Sequence, residues 1–338
     1  MERHHQHFVS NIGIDNSQDW KYLGKSDFES IFALEVPDEA VALINQLDLG
    51  YRLLTREERD SQILKILCIL DEPLVSSGPK RLDAWEKGWE QNLNDYINSN
   101  FDEATILPYY YRRGQTIMRL WGDYILPRSP HFEAHFLSVL QIIIANAYFR
   151  NVSSIYEFGC GPGHNLLAFG RIVPGKTYHG LDWAGASETI LSLADSRAKK
   201  THPENRFHGR FIDLFHPDPE FHVESGSAIL TFGSMEQLGT DFEPLFDYFY
   251  SQPASIYVHI EPFSEFSKDD VLLDVLADRY AKKRNYLDGY LRHLEKLQES
   301  GMLKIIKRRK LIGSTFNDGW CLVVWHRSPP VRKNTNRS

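Results

Sequence analysis

Ser154-Ile155-Tyr156-Glu157-Phe158-Gly159-Cys160-Gly161-Pro162-Gly163-His164-Asn165-Leu166-Leu167 is a short apolar run with an acid near its end, followed by three alternate glycines and a helical pattern. The pattern predicts a strand, a tight turn and a helix N-terminus. Alternate glycines let the backbone take positive φ and approach a ligand that any Cβ would keep away. A glycine turn alone is a weak signal. Here Lys176 to Leu181 reads as a second strand, and it ends in Asp182 about twenty residues past the glycines, where a carboxylate meets the hydroxyls of a ribose. The spacing also separates two kinds of nucleotide. A dinucleotide site is expected to show G-x-G-x-x-G, with helix amides aimed at a pyrophosphate. In this chain Glu157 precedes Gly-Cys-Gly-Pro-Gly, and a carboxylate there repels phosphate and suits a cation.

On these residues the chain resembles the class I S-adenosylmethionine-dependent methyltransferases, whose first motif has the form E-x-G-x-G-x-G and whose second strand ends in the ribose-binding acid. The resemblance runs from about Ser154 to Arg327 and implies S-adenosyl-L-methionine as cofactor. It implies that Glu157 organises the methionine end beside Gly159, Gly161 and Gly163, that Asp182 binds the ribose, that Trp183 packs on adenine, and that Asp213 with Leu214 contacts the adenine edge. The fold it implies is α/β, a doubly wound seven-stranded sheet with a C-terminal antiparallel hairpin, preceded by an N-terminal helical domain.

The remaining strands are legible. Arg206 to Ile212 runs into Asp213-Leu214-Phe215, Ser227 to Phe232 into Gly233-Ser234-Met235-Glu236-Gln237, and Ser255 to Ile260 into Glu261-Pro262. Between the last two, Phe242 to Tyr250 reads as a helix with Pro244 tolerated in its first turn. Leu303 to Leu311 and Trp320 to His326 form a hairpin around Gly313, Asn317 and Gly319. In the resembled family the last strand inserts beside the fifth and the sixth lies at the edge. Cys321 to Trp325 is almost purely apolar, while Lys304, Lys307, Arg308, Arg309 and Lys310 load its partner with charge, the usual defence of an exposed edge.

Composition bounds the rest. The chain has 338 residues, 42% of them hydrophobic, enough for one catalytic domain and a smaller appendage. Its net charge of -7 speaks against a nucleic-acid partner, which needs a basic field, so the basic hairpin strand reads as an edge. Cys68, Cys160 and Cys321 lie far apart, form no paired metal motif and suit a reducing compartment; no metal is expected. The start lacks the basic-then-apolar order of a signal peptide, and Phe136 to Phe149 is read as too short to span a bilayer, so a cytoplasmic protein without a membrane partner is expected. His4, His5 and His7 read as a frayed terminus.

Residues 1–150 read as a helical cap or oligomerisation region, 151–327 as the cofactor-binding catalytic domain, and 328–338 as a disordered basic tail. Helices are expected from Pro37, from Thr55-Arg56-Glu57-Glu58 with capping-box spacing, from Leu82 to Ile97 with tryptophans at 85 and 89, and from about Phe132 to Phe149. Such a region caps the cofactor, shapes the acceptor pocket or joins two copies in a homodimer. Its most chemical-looking part is Tyr109-Tyr110-Tyr111-Arg112 with Arg119, Trp121 and Tyr124, and Tyr111 is taken as a substrate contact.

A sulfonium methyl is already activated, so transfer needs an acceptor lone pair held in line, water excluded and, for some acceptors, a base. The ends of the fourth and fifth strands carry Glu236, Glu243, His259 and Glu261. Carboxylates there would hold an ammonium or guanidinium. The stretch Ser234 to Gly239 with Glu243 is similar in kind to the double-glutamate loop of protein arginine methyltransferases, with shorter glutamate spacing and without their long C-terminal barrel. The favoured acceptor is therefore a nitrogen of a small amine or guanidino compound such as free arginine, with Glu236 and Glu261 as catalytic groups and Glu236 and Glu243 as substrate ligands. The alternatives are an O-methyltransferase acting on a sugar or natural-product hydroxyl, with His259 or Glu261 as base, and a noncatalytic cofactor-binding scaffold.

Overall fold

The computed structural model describes residues 20–114 and 117–328; the histidines at 4, 5 and 7 and the tail beyond Ser328 lie outside them. The N-terminal half is mostly helical, with α1 (Lys25–Phe32), α2 (Asp38–Ile44), α3 (Arg56–Asp71), α4 (Leu82–Asn98), the single turn α5 (Tyr109–Arg112) and α6 (Phe132–Ile144). The start of α3 shows why the local sequence suffices. The Thr55 hydroxyl accepts the Glu58 N–H at 3.2 Å, and the Glu58 carboxylate accepts the Thr55 N–H at 2.8 Å, so two otherwise unpaired helix-end donors are satisfied reciprocally.

The helical expectation for this half is incomplete. Four short strands, β1 (Lys21–Tyr22), β2 (Gly50–Leu53), β3 (Met118–Leu120) and β4 (Asp123–Pro127), pair antiparallel in a second, small sheet. β3 and β4 meet through a two-residue turn, Trp121-Gly122, with φ of 53° and 81°. Such a turn matches the right-handed twist of its strands and ordinarily carries Asn-Gly. A tryptophan in the first slot hides the signal.

From Ser154 onward the chain alternates strand and helix: β5 (Ser154–Phe158), α7 (His164–Ile172), β6 (Thr177–Asp182), α8 (Gly185–Thr201), β7 (Arg206–Phe211), β8 (Ala228–Phe232), α9 (Glu243–Ser251) and β9 (Ile256–Glu261). Then come α10 (Leu272–Arg284), α11 (Tyr290–Glu299), β10 (Leu303–Lys310), β11 (Ile312–Ser314) and β12 (Cys321–Arg327). The large sheet has the order β10-β12-β9-β8-β5-β6-β7; β5 to β9 run parallel, and β12 lies antiparallel between β9 and β10. The residues Cys321 to Trp325 of β12 are buried throughout, while β10 alternates and sends Arg308 to Glu295 at 2.5 Å. The apolar and charged halves of the hairpin thus take the inserted and edge positions that their compositions favour.

The loop between β10 and β12 is not only a turn. Its β11 leaves the large sheet and pairs with β3, Gly313 opposite Arg119, completing the five-stranded order β1-β2-β4-β3-β11. Arg119 and Tyr124, two of the chemical-looking residues, belong to this seam. Arg119 is buried and donates to the carbonyls of Leu273 at 2.8 Å and Phe316 at 3.2 Å, with Tyr124 stacked beneath its guanidinium and Asp318 at 3.8 Å. They bind the two halves together.

Helix α6 begins at Phe132, as expected, and the apolar run from Phe136, read above as too short to cross a bilayer, is its inner part. It continues through a π turn to Phe149, and by length and composition it is long enough to cross a membrane. Most of it is buried inside the protein, where Phe136, Leu140 and Ile144 join the main core. Its residues serve packing between the two halves.

Candidate functional site

The C-terminal ends of β5, β6 and β8 open into a cavity of about 690 Å³, part of it continuous with solvent. That is the place where an open parallel sheet leaves a crevice. Its floor is the glycine turn. The Gly159 and Cys160 N–H groups donate to the Leu181 carbonyl at 2.7 and 3.0 Å, and the Gly161 N–H donates to Asp182 at 2.8 Å. Gly159, Gly161 and Gly163 all have positive φ, and a Cβ on Gly159 would stand 2.2 Å from that of Ser234. Alanine does not fit there. Gly163 caps α7 against Leu191 and does not itself line the cavity.

Glu157 is almost fully buried. One carboxylate oxygen accepts the Asn165 side-chain N–H at 2.7 Å, Asn165 in turn accepts from Gln141 of α6 at 2.9 Å, and the second Glu157 oxygen has no partner. Burial raises its pKa to about 8, against the pull of Asn165 and with a further push from Asp182. Asp182 is raised to about 6 by burial, opposed by N–H donors from Ala184 and Gly161. The Trp183 and Phe215 rings stack with planes 23° apart and centroids 6.5 Å apart, and together with Ile212 and Leu214 they form an apolar slot beside Asp182. Of the residues expected at a cofactor, the fold brings Glu157, Gly159, Gly161, Asp182, Trp183 and Leu214 to one cavity.

Asp213 is a correction. It does not line the cavity: its oxygens are turned to its own loop, accepting the Phe215 N–H at 2.8 Å and meeting His216 Nδ1 at 2.9 Å. The short side chain folds back into a local turn, and apolar Ile212 and Leu214 take the wall instead.

The acidic acceptor group expected from the strand ends is also largely dispersed. Glu243 is exposed in the first turn of α9, where a carboxylate complements the helix dipole. Glu261 is buried below the turn after β8 and accepts the N–H groups of Ser234 at 3.1 Å and Met235 at 3.2 Å, which fixes that turn. His259 is a fully buried core residue. Its Nδ1 pairs with the Thr231 hydroxyl at 2.9 Å and its Nε2 accepts the Trp325 indole N–H at 2.9 Å with the Tyr290 hydroxyl at 3.2 Å; burial holds its pKa down near 3. Neither group faces the cavity. Glu236 stays close, bonded to the cavity residue Gln237 at 3.0 Å and raised to about 8 by burial and by Glu261. Tyr111 lies one layer back, edge-on to Trp320, and it is Tyr110 that reaches the cavity.

Several lining residues were not assigned a role from the sequence. Trp85 and Trp89, one helical turn apart on α4 and stacked at 5.5 Å, roof the glycine turn, with Tyr110, Phe232 and Gln237 beside them. Their spacing on an otherwise polar helix was the available clue. His164, at the start of α7, faces the cavity with both ring nitrogens buried and unpartnered, and burial lowers its pKa to about 3.

The sheet order, with its last strand reversed and inserted beside the fifth parallel strand, decides the architecture. The chain has the class I methyltransferase fold. No protein-family model matches it, and no curated protein does. Among solved structures it is similar to the [4+2]-cyclase SpnF, at 13% identity over 60% of this chain and 83% of that one with a TM-score of 0.43. It is also similar to the mitomycin 7-O-methyltransferase MmcR, at 13% over 60% and 59% with 0.40. A third likeness is to the N,N-8-amino-8-demethyl-D-riboflavin dimethyltransferase RosA from Streptomyces davawensis, at 14% over 59% and 57% with 0.39. The matched part spans less than two thirds of MmcR and RosA. Likenesses this distant assign neither activity nor substrate to a class I methyltransferase fold that serves several chemistries.

Proposed function

We propose that this protein is an S-adenosylmethionine-dependent methyltransferase acting on a nitrogen of a small polar molecule. The observation that supports the cofactor is the convergence of Glu157, Gly159, Gly161, Asp182, Trp183 and Leu214 on one cavity, with an unpartnered buried Glu157 oxygen in its floor. A cation with N–H donors satisfies that oxygen, and the glycine cradle leaves room that any Cβ would fill. Asp182 would hold the ribose hydroxyls. The slot of Trp183, Phe215, Ile212 and Leu214 would hold the adenine, and Glu157 the methionine amino group.

When bound, the cofactor supplies a methyl already activated on a sulfonium centre. The protein's work is then to position the acceptor and exclude water. Trp85, Trp89, Tyr110 and Phe232 close the other side of the cavity with apolar faces that keep water from the reacting centre. The preference for nitrogen rests on what is missing among the described residues. A hydroxyl acceptor calls for a base at the reacting atom; His259 and Glu261 do not line the cavity, His164, near pKa 3, is a poor base, and Glu236, raised to about 8, is largely protonated near pH 7. An uncharged nitrogen carries its own lone pair and sheds its proton after transfer.

The test is calorimetric titration with S-adenosylhomocysteine, followed by turnover of labelled S-adenosylmethionine against matched amines, guanidines, sugars and phenols. Micromolar or tighter product binding with transfer to nitrogen compounds supports the reading. Absence of binding removes the cofactor, and transfer confined to hydroxyl compounds removes the nitrogen preference.

A further inference from the structure

The space over the middle glycine of the turn is taken by a side chain of the N-terminal half. A Cβ built on Gly161 meets three atoms of the six-membered ring of Trp89, Cζ2 at 3.0 Å, Cε2 at 3.3 Å and Cη2 at 3.4 Å. Trp89 is itself buried, and Trp85, one turn earlier on α4, stacks on it with planes 25° apart. A molecule lying across the glycine turn needs the place that this indole holds.

The two ends of α4 are held differently. In its C-terminal half the buried Asn92 amide donates to the carbonyls of Thr105 at 2.8 Å and of Ile106 and Leu107 at 3.2 Å, and Asp95 pairs with Arg112 at 2.8 Å. Its N-terminal half is tied to the catalytic half through the segment just before it. There the Ser77 N–H donates to the Arg284 carbonyl at 2.7 Å, the Ser77 hydroxyl to the Asn285 carbonyl, and the Gly78 N–H to the Gln237 side chain at 3.3 Å. The Trp85 indole N–H is buried without a hydrogen-bond partner, so this turn rests on the cavity by apolar contact.

Between the two halves stands Gly88, in the interior of the helix. A Cβ there would meet nothing within 4 Å, so no close packing calls for a glycine at this position. What glycine gives a helix interior in place of alanine is backbone freedom. It lies beside Trp89, at the join between the anchored half and the half that carries Trp85.

We propose that α4 bends at Gly88 and that Trp89 is a gate, resting on Gly161 as seen here and swinging aside with the Trp85 turn to admit the cofactor. This rests on the methyltransferase reading for the identity of what enters; the movement itself belongs to the protein alone. The entering molecule replaces Gly161 as the surface under the indole, so the roof closes on it again and favours the bound arrangement.

Fluorine NMR on full-length protein labelled with 5-fluorotryptophan tests the movement without any ligand. The chain has seven tryptophans, and the signal lost in Trp89→Phe is that of Trp89. Relaxation dispersion should show millisecond exchange at this signal, suppressed at least fivefold in Gly88→Ala. Stopped-flow fluorescence with S-adenosylhomocysteine should show association slowed at least fivefold in Gly88→Ala and quickened at least fivefold in Trp89→Ala. Gly88→Ala adds a better helix former where there is room for it, so its result is not a loss of fold. A Trp89 signal without exchange in the parent, or exchange and association that Gly88→Ala leaves unaltered, overturns the gate. Should the exchange respond to Gly88→Ala while S-adenosylhomocysteine fails to bind the parent, the cofactor reading fails and the moving roof stands by itself.

Discussion

Trp89 lies directly on Gly161: a Cβ on that glycine would stand 3.0 Å from the indole ring. The roof supplied by the N-terminal half and the floor supplied by the glycine turn are thus in van der Waals contact, and a single methyl group reports on both. Gly175→Ala, at φ of 83° with open space around it, should show backbone strain alone, roughly 1 kcal/mol. Gly161→Ala adds the clash with Trp89, and Gly159→Ala adds one with Ser234 at 2.2 Å. Thermal denaturation should rank the variants in that order of increasing damage, with product affinity falling only in the last two. Equal midpoints for all three would show that the turn is not packed as described.

Asp182→Ala deletes a charged acceptor that serves the Gly161 and Ala184 N–H groups and faces the cavity. A loss of roughly 2 to 3 kcal/mol in S-adenosylhomocysteine binding is expected, well over tenfold. Calorimetry on the folded variant measures it. Parent-like affinity would remove Asp182 from the cofactor's ribose.

Glu157, with its pKa raised to about 8, is mostly protonated in the free protein at neutral pH. A bound ammonium favours the carboxylate, so cofactor binding should release up to one proton near pH 7, and affinity should rise between about pH 5 and 8. In the free protein the sign is opposite. The native state holds this proton above the pH at which the unfolded chain loses it, so Glu157 lowers stability as pH rises from its ordinary range toward 8. Glu157→Gln should flatten both dependences. Titration in two buffers of different ionisation enthalpy measures the proton, and an identical apparent enthalpy in both would exclude its release.

His259→Phe tests a core residue against a base. The Trp325 indole and the Tyr290 hydroxyl lose their common acceptor, which costs roughly 2 to 4 kcal/mol of stability. Turnover per folded molecule should stay within a few fold, measured below the lowered melting temperature. A drop of several orders of magnitude at unchanged stability would restore His259 to the chemistry.

The large sheet was readable because most of its strands are short runs that lead into or end in a recognisable residue, as β5 leads into Gly159 and β6 ends in Asp182. The cofactor end of the cavity was readable for the same reason, since a parallel strand places its final residue at the crevice. Strand position did not reveal where side chains point after the strand ends. His259 and Glu261 occupy alternating positions at the end of β9, yet the neighbouring Trp325 and the Ser234 turn claim them. Asp213 was lost to its own loop. The small sheet escaped because its strands are very short and its one tight turn carries Trp121 at a left-handed position; Trp85 and Trp89 escaped because a pair of aromatic residues on an amphipathic helix also describes ordinary core.

The pairing of Ile312–Ser314 with Met118–Leu120 has a consequence for how the molecule is made. On the ribosome the N-terminal half emerges long before β11, so until then β3 presents a bare edge able to pair with another nascent chain. Trp320, which follows β11, packs on Tyr111, Phe136 and Phe232, so the wall beside Tyr110 also sets late. A nascent chain stalled before its final hairpin would hold every residue that lines the cavity and still lack the Trp320 packing behind Tyr111 and Phe232.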